Sequence, residues 1–241
     1  LVTKRFKLPQ VVGSLLAGLI LGPAVLNIIH ETDFIKQLAE VGVIVLLFNA
    51  GLESNLSEFK KSGKTSFIVA VMGVMIPLIG GTILAYCINH GKVENVSVFV
   101  QNIFIGSVLT ATSVSITVET LRELGKVSTS VGNIIVGAAI IDDVLGMLVL
   151  TIITSLAGSS VSLIKVIVKI VGFFIFSIIV GIITYKLFNK WVDKYDIDKR
   201  RFVIVSFVIC LLLSFSAEEF FGVADITGAY IAGLVLSSNK V

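Results

Sequence analysis

Apolar residues fall in long, unbroken runs along this chain. A run such as Val43-Ile44-Val45-Leu46-Leu47-Phe48 shows no polar/apolar alternation, which argues against the short alternating strands of a membrane β-barrel. Eight stretches are long enough to cross a bilayer: about 8–29, 36–53, 65–89, 97–118, 129–157, 162–189, 201–217 and 222–238. A backbone in lipid has no water to bond, so each stretch is expected to satisfy itself as a helix. The pattern predicts an all-α membrane protein, a multi-span helical bundle.

The short polar segments between these runs alternate between two sides. One side collects Lys4, Arg5, Lys7, Lys60, Lys61, Lys64, Arg122, Lys126, Lys186, Lys190, Lys194, Lys199, Arg200, Arg201 and Lys240. The other collects Lys36, Lys92, Lys165 and Lys169. The heavily basic side is expected to be cytoplasmic. This asymmetry supports the span count, because a missed helix would scramble it. The polar stretch from Asn189 to Arg201 reads as a linker helix and cytoplasmic loop, with Trp191 and Tyr195 anchored at the interface.

Composition agrees. The chain is 56% hydrophobic and 15% charged, with a mean hydropathy of +1.03, where soluble domains are about a quarter charged. A net charge of +3, spread over loops, gives no nucleic-acid footprint. Cys87 and Cys210 both fall in apolar runs without CxxC or Cys/His spacing. They read as two buried thiols, with no metal or disulfide framework. The sequence begins at Leu1, so a longer N-terminus is expected. Lys4, Arg5 and Lys7 precede an apolar run that continues to about Ile29 without an Ala-x-Ala site, so a signal peptide is not expected.

Two segments resemble each other. Gly13-Ser14-Leu15-Leu16-Ala17-Gly18-Leu19-Ile20-Leu21-Gly22 and Gly228-Ala229-Tyr230-Ile231-Ala232-Gly233-Leu234-Val235-Leu236-Ser237 share Gly, Ala-Gly-Leu and a further Leu in one register. The charge count runs the first outward and the second inward. One motif in opposite orientations is the mark of inverted-topology repeats in secondary transporters. Small residues at helix crossings would produce the same likeness.

Asp142 and Asp143 are the acidic residues that fall in mid-span. With a helix starting near Ser128, Asp142 lies about 14 residues or about 21 Å in, within a hydrocarbon core of about 30 Å. A carboxylate there costs several kcal/mol unless it is solvated, paired or protonated. Successive helix residues point about 100° apart, so the two need separate partners or one polar cavity. A carboxyl group held from water favours its neutral form. It can be neutralised by a proton or by a hard cation such as Na⁺, and that competition couples the two.

The stretch Thr110-Ala111-Thr112-Ser113-Val114-Ser115-Ile116-Thr117 places five hydroxyls in eight residues of an apolar span. Hydroxyl side chains compete for helix hydrogen bonds, so a broken helix is expected, aiming carbonyls and hydroxyls at a cation. Asn49 is read as an interhelical contact and Glu53 as a cytoplasmic-interface residue. Glu119 and Glu123 are read as a solvated face with Arg122 and Lys126, Asp225 as a helix N-cap, and His30 and His90 as loop polarity.

Leu8-Pro9-Gln10-Val11-Val12-Gly13 through Leu21-Gly22-Pro23, Val41-Gly42-Val43 through Ala50-Gly51-Leu52-Glu53, Thr110-Ala111-Thr112-Ser113, Ile141-Asp142-Asp143-Val144-Leu145-Gly146 and Gly228 through Leu234 together resemble the monovalent cation:proton antiporter-2 family, in particular its sodium/hydrogen exchangers with paired aspartates. The resemblance implies a partial inverted-repeat Na⁺/H⁺ antiporter fold with a broken helix. It implies dimerisation-domain helices over 1–60, a core transport domain over 61–160, a linker helix and loop over 161–200, and the start of a truncated second repeat over 201–241. By resemblance Asp143 is the main ligand of cation and proton, with Thr112 and Ser113 near the ion and Thr110 in the same crossing. Asp142 pairs with a lysine from missing second-repeat helices, and the protein is a homodimer with an elevator-like core. Asn49 departs from the family pattern, which has an apolar residue there.

The expected function is exchange of a monovalent cation, Na⁺ foremost, for H⁺ by alternating access in a multi-pass protein of the bacterial cytoplasmic membrane. No cofactor and no enzymatic activity are expected, since the ions are cargo. The alternatives are K⁺/H⁺ exchange, a cation channel and, remotely, an intramembrane aspartyl protease. That last class needs general acid/base groups on two helices and a Gly-x-Gly-Asp motif absent here.

Overall fold

A computed structural model describes residues 10–54, 56–88, 96–157, 162–194 and 199–237. Among these the ordered elements are helices: α1 (Gln10–Leu21), α2 (Asp33–Glu53), α3 (Leu56–Ile88), α4 (Val98–Val108), α5 (Val114–Glu123), α6 (Ser130–Leu156), α7 (Leu163–Lys194), α8 (Lys199–Glu219) and α9 (Asp225–Leu236). Five of them, α2, α3, α6, α7 and α8, are long and apolar enough to cross a membrane by length and composition. The protein is an all-α membrane protein.

Three expected spans are covered by shorter helices. The 8–29 stretch yields a helix of 12 residues, about 18 Å at 1.5 Å per residue. Pro23 brings no N–H, and the chain folds back over the helix end. Leu26 N bonds Ile20 O at 2.9 Å, and Ile28 N bonds Leu21 O at 3.0 Å, filling carbonyls the helix would leave open. The 222–238 stretch gives the 12-residue α9. It starts after Gly222, whose φ of 65° closes α8 in the left-handed conformation that glycine adopts without strain. The 97–118 stretch is split into α4 and α5, the break the hydroxyl run predicts.

Packing sorts the helices into two groups. α3 lies along both α4 and α6, while α9 lies along α2 and α8 and also meets α7. The α2–α9 crossing is made by Gly51 and Gly233. A Cβ on Gly51 would stand 2.9 Å from Cα of Gly233, and one on Gly233 would stand 2.8 Å from N of Leu52. This approach seals Tyr230, whose hydroxyl donates to Oγ of Ser54 at 3.0 Å. Ser54 in turn donates to the Ala50 carbonyl at 2.7 Å. The Tyr230 ring lies 5.9 Å from that of Phe59. A buried phenol thus keeps a hydrogen-bond partner inside an apolar cluster of Leu47, Phe48, Val136 and Ile140.

Candidate functional site

The site begins with how α6 is held. Thr129 caps it, its Oγ1 accepting from Gly132 N at 3.1 Å. Farther along, Ser66 of α3 donates to the Ile134 carbonyl at 3.1 Å. A Cβ on Gly137 would stand 2.8 Å from Ser66 Oγ, so the missing side chain lets the two helices touch. One turn and a half beyond, a methyl at Gly73 of α3 would sit 4.0 Å from Oδ1 of Asp142. Both contacts advance together along the two helices, so α3 and α6 run parallel, as alternating spans require. Asp142 and Asp143 are the thirteenth and fourteenth of the 27 residues of α6, at its centre, and each is partly buried.

The second part of the site is the break between α4 and α5. α4 closes with Leu109 N bonding Gly106 O at 3.2 Å and Thr110 N bonding Ser107 O at 3.1 Å. Ser113 then opens α5 as its N-cap, accepting from Ile116 N at 3.4 Å. Thr110, buried, turns its hydroxyl back to the Ser107 carbonyl at 2.7 Å. Thr117 turns to the Ser113 carbonyl at 3.0 Å. Thr112 is different: its hydroxyl bonds the Asp142 carboxylate and also lies 3.2 Å from the Thr110 carbonyl. A hydroxyl has one proton, so Thr112 can serve either acceptor.

Chemically, the break sets the carbonyl-rich end of α4 against the amide-rich start of α5. These are the partial negative and partial positive ends of two helix dipoles. Such a junction beside a carboxylate pair offers oxygens for a cation and N–H groups for a negative charge. Among the described residues no three His, Cys, Asp or Glu side chains converge. The hydroxyls and carbonyls of the break are hard oxygen ligands of the kind alkali cations accept. The structure brings Thr112 to Asp142, next to Asp143 in α6. It commits the Ser113 oxygen to capping α5 and the Thr110 proton to its own helix.

Gly73 is the neighbour that sequence reading missed. Its signal was present: a glycine four residues before Pro77 inside a 33-residue apolar helix. At the helix ends, Arg122 Nε lies 3.2 Å from Glu53 Oε1, joining the end of α5 to the end of α2. The two ends share one face of the bundle, as the charge count expects. With both side chains about two-fifths exposed (41% and 42%), Arg122→Ala is expected to lower stability by less than about 1 kcal/mol, read by thermal unfolding.

Other expectations are corrected or placed. Asp225 is not the N-cap of α9. Ala224 holds that position without a side-chain bond, and Asp225, one residue inside, accepts from Ile226 N at 2.7 Å. Cys210 is buried but Cys87 is exposed: Ala85, about 200° away on the helix, takes the packed face of α3. Asn49 lines a groove with Phe202, Ser206 and Leu236, between α2, α8 and α9. An apolar cavity of about 550 Å³ between α6, α7 and α9, lined by Ile140, Phe174 and Tyr230, lies apart from the aspartates. His30 is exposed in the α1–α2 connection. His90, Tyr195 and the Lys4, Arg5 and Lys7 cluster lie outside the described residues, as does the side chain of Trp191.

Comparison with known proteins follows the same lines. The chain is 38% identical to a probable Na⁺/H⁺ antiporter, GerT, of Bacillus cereus, over 99% of its own length and 62% of the relative's. It is 36% identical to the Na⁺/H⁺-K⁺ antiporter GerN of the same organism, over 98% and 59%. It is 34% identical to a Na⁺/H⁺ antiporter of Enterococcus hirae, over 100% and 61%. The chain thus spans about three-fifths of the length of these relatives. The model of the transmembrane region of sodium/hydrogen exchangers matches residues 1–241, and the chain belongs to that family of transporters.

Proposed function

We propose that the full-length protein exchanges Na⁺ for H⁺ across the membrane by alternating access, with Asp143 holding either ion in turn. The observation that carries this reading is the adjacent pair of carboxyl groups at the centre of α6, facing a helix break whose Thr112 hydroxyl reaches Asp142. An ionised Asp143 attracts a cation, and a protonated one releases it. A site that returns across the membrane only when neutral, by proton or by cation, couples the two flows. Asp142, bonded to Thr112, is the positioning member of the pair, and a lysine from outside this chain is its proposed counter-charge. Ser113 and Thr110 shape the break.

The reading extends to the assembly. α3 to α6 form the moving core, while α1, α2, α8 and α9 belong to the scaffold on which a homodimer forms, and α7 links the two. The membrane proposed is the bacterial cytoplasmic one, supported by relatives from bacteria. Potassium is the second cargo to test, because one relative carries K⁺ in its name.

The test uses full-length protein in proteoliposomes with a pH dye inside. With the lumen acidic, external NaCl is expected to raise internal pH while ²²Na⁺ enters. Sodium entry without proton counterflow would indicate a channel and defeat the exchange reading. Thr112→Val is expected to raise the apparent KM for Na⁺ about tenfold, since hydrogen bonds to charged groups contribute about 1.5–3 kcal/mol.

A further inference from the structure

α3 contributes no charged side chain to the site, yet it passes Asp142 at an unusual point in its backbone. Ser66, Ala70 and Val74 form the buried stripe of α3. Gly73 stands beside that stripe and opposite Asp142, 4.0 Å from a Cβ position to Oδ1. Four residues on, Pro77 sits inside the helix. In a regular helix the N–H of residue 77 would close onto the carbonyl of residue 73. Proline has no N–H, so the Gly73 carbonyl is left without its helical donor, in the turn that faces the carboxylate pair.

A free carbonyl at mid-membrane needs a partner, and the Asp142 carboxylate beside Gly73 cannot donate while ionised. Two acceptors brought close together repel unless something positive lies between them. Glycine adds no side chain to fill that gap. On the opposite side, Thr112 and the α4–α5 break supply further oxygens. The Thr112 hydroxyl of the α4–α5 break and the Gly73 backbone of α3 thus both lie beside the Asp142 carboxylate of α6, one residue from Asp143.

We propose that the Gly73 carbonyl oxygen, released by Pro77, is a direct backbone ligand of the transported cation. This rests on the exchange reading given above and assigns α3 a part in it. A proton on Asp143 makes no demand on that carbonyl, so the ligand serves cation affinity and not proton affinity.

The experiment measures exchange by full-length protein in proteoliposomes for the unaltered protein and for Pro77→Ala. The alanine restores an N–H that takes up the Gly73 carbonyl. The apparent KM for Na⁺ is expected to rise about three- to tenfold, the weight of one hydrogen-bond-scale interaction, with the maximal rate within about twofold. An unchanged KM overturns the proposal. So does a fall in maximal rate alone, which would make Pro77 a hinge for movement and not a ligand device. Absence of exchange by the unaltered protein would instead remove the exchange reading, and the proposal with it. A second measurement does not depend on the alanine variant folding. Protein labelled with [1-¹³C]glycine is examined by solid-state NMR, and the Gly73 carbonyl is assigned as the resonance lost in Gly73→Ala. Replacing choline by Na⁺ is expected to shift that resonance; a resonance that stays in place overturns the proposal.

Discussion

Asp143→Asn is expected to reduce Na⁺/H⁺ exchange to background in proteoliposomes containing the full-length protein. Asparagine keeps the shape and one carbonyl oxygen of the side chain but can be neither ionised nor protonated near neutral pH. It can therefore neither attract a cation by charge nor trade that cation for a proton. Removing one partner of a buried charge pair costs about 3–5 kcal/mol, roughly a 100- to 4,000-fold loss of cation affinity. Stability should move the other way. Asp143 stands beside the like-charged Asp142 at the centre of a membrane helix, so replacing it relieves both repulsion and desolvation. The variant is expected to unfold at the same temperature as the unaltered protein or higher. Lost exchange with lost stability would indicate a structural residue, and retained exchange would place the site elsewhere.

Gly51→Val is expected to have the largest effect on folding. The obstacle is backbone, not a movable side chain. A Cβ at residue 51 meets Cα of Gly233 and N of Leu234, both at 2.9 Å, and comes closer still to the Tyr230 carbonyl oxygen. α2 and α9 must separate to admit it, which opens the seal over Tyr230 and its bond to Ser54. Overpacking a close-packed contact costs about 1–3 kcal/mol, and the branched valine should reach the upper end. Gly51→Ala should cost less. Gly42→Ala, on the same helix with nothing within 4 Å of its Cβ position, should be neutral or stabilising, because alanine is the better helix former by about 1 kcal/mol. Thermal unfolding of the full-length protein measures all three. Equal unfolding temperatures for the Gly42 and Gly51 variants would contradict the crossing.

What the sequence revealed depended on the kind of signal. Mid-span carboxylates are so costly in lipid that Asp142 and Asp143 stood out as candidates, and both lie at the centre of α6. The hydroxyl run from Thr110 to Thr117 foretold a break because those side chains bond the backbone locally, and Thr110, Thr117 and Ser113 do so. Which hydroxyl then turns outward to Asp142 depends on the angle between α5 and α6, and spacing does not encode that angle. The Glu53–Arg122 pair joins residues 69 positions apart by number, beyond the reach of helix-face arithmetic. The short α1 was legible in hindsight from Gly22-Pro23, but hydropathy averages across such a stop. Gly73 was hardest, because its contribution is a missing side chain and an unclaimed carbonyl.

Coupled exchange at Asp143 requires one carboxyl site that accepts a proton or a cation but never both at once. Proton release on cation binding reads this directly. Full-length protein in detergent, weakly buffered with a pH indicator near neutrality, is given NaCl, with choline chloride as the control for ionic strength. The prediction is prompt acidification that saturates with Na⁺, requires more Na⁺ as the starting pH is lowered, and disappears in Asp143→Asn. Sodium binding that releases no proton, or release that persists without Asp143, would contradict it.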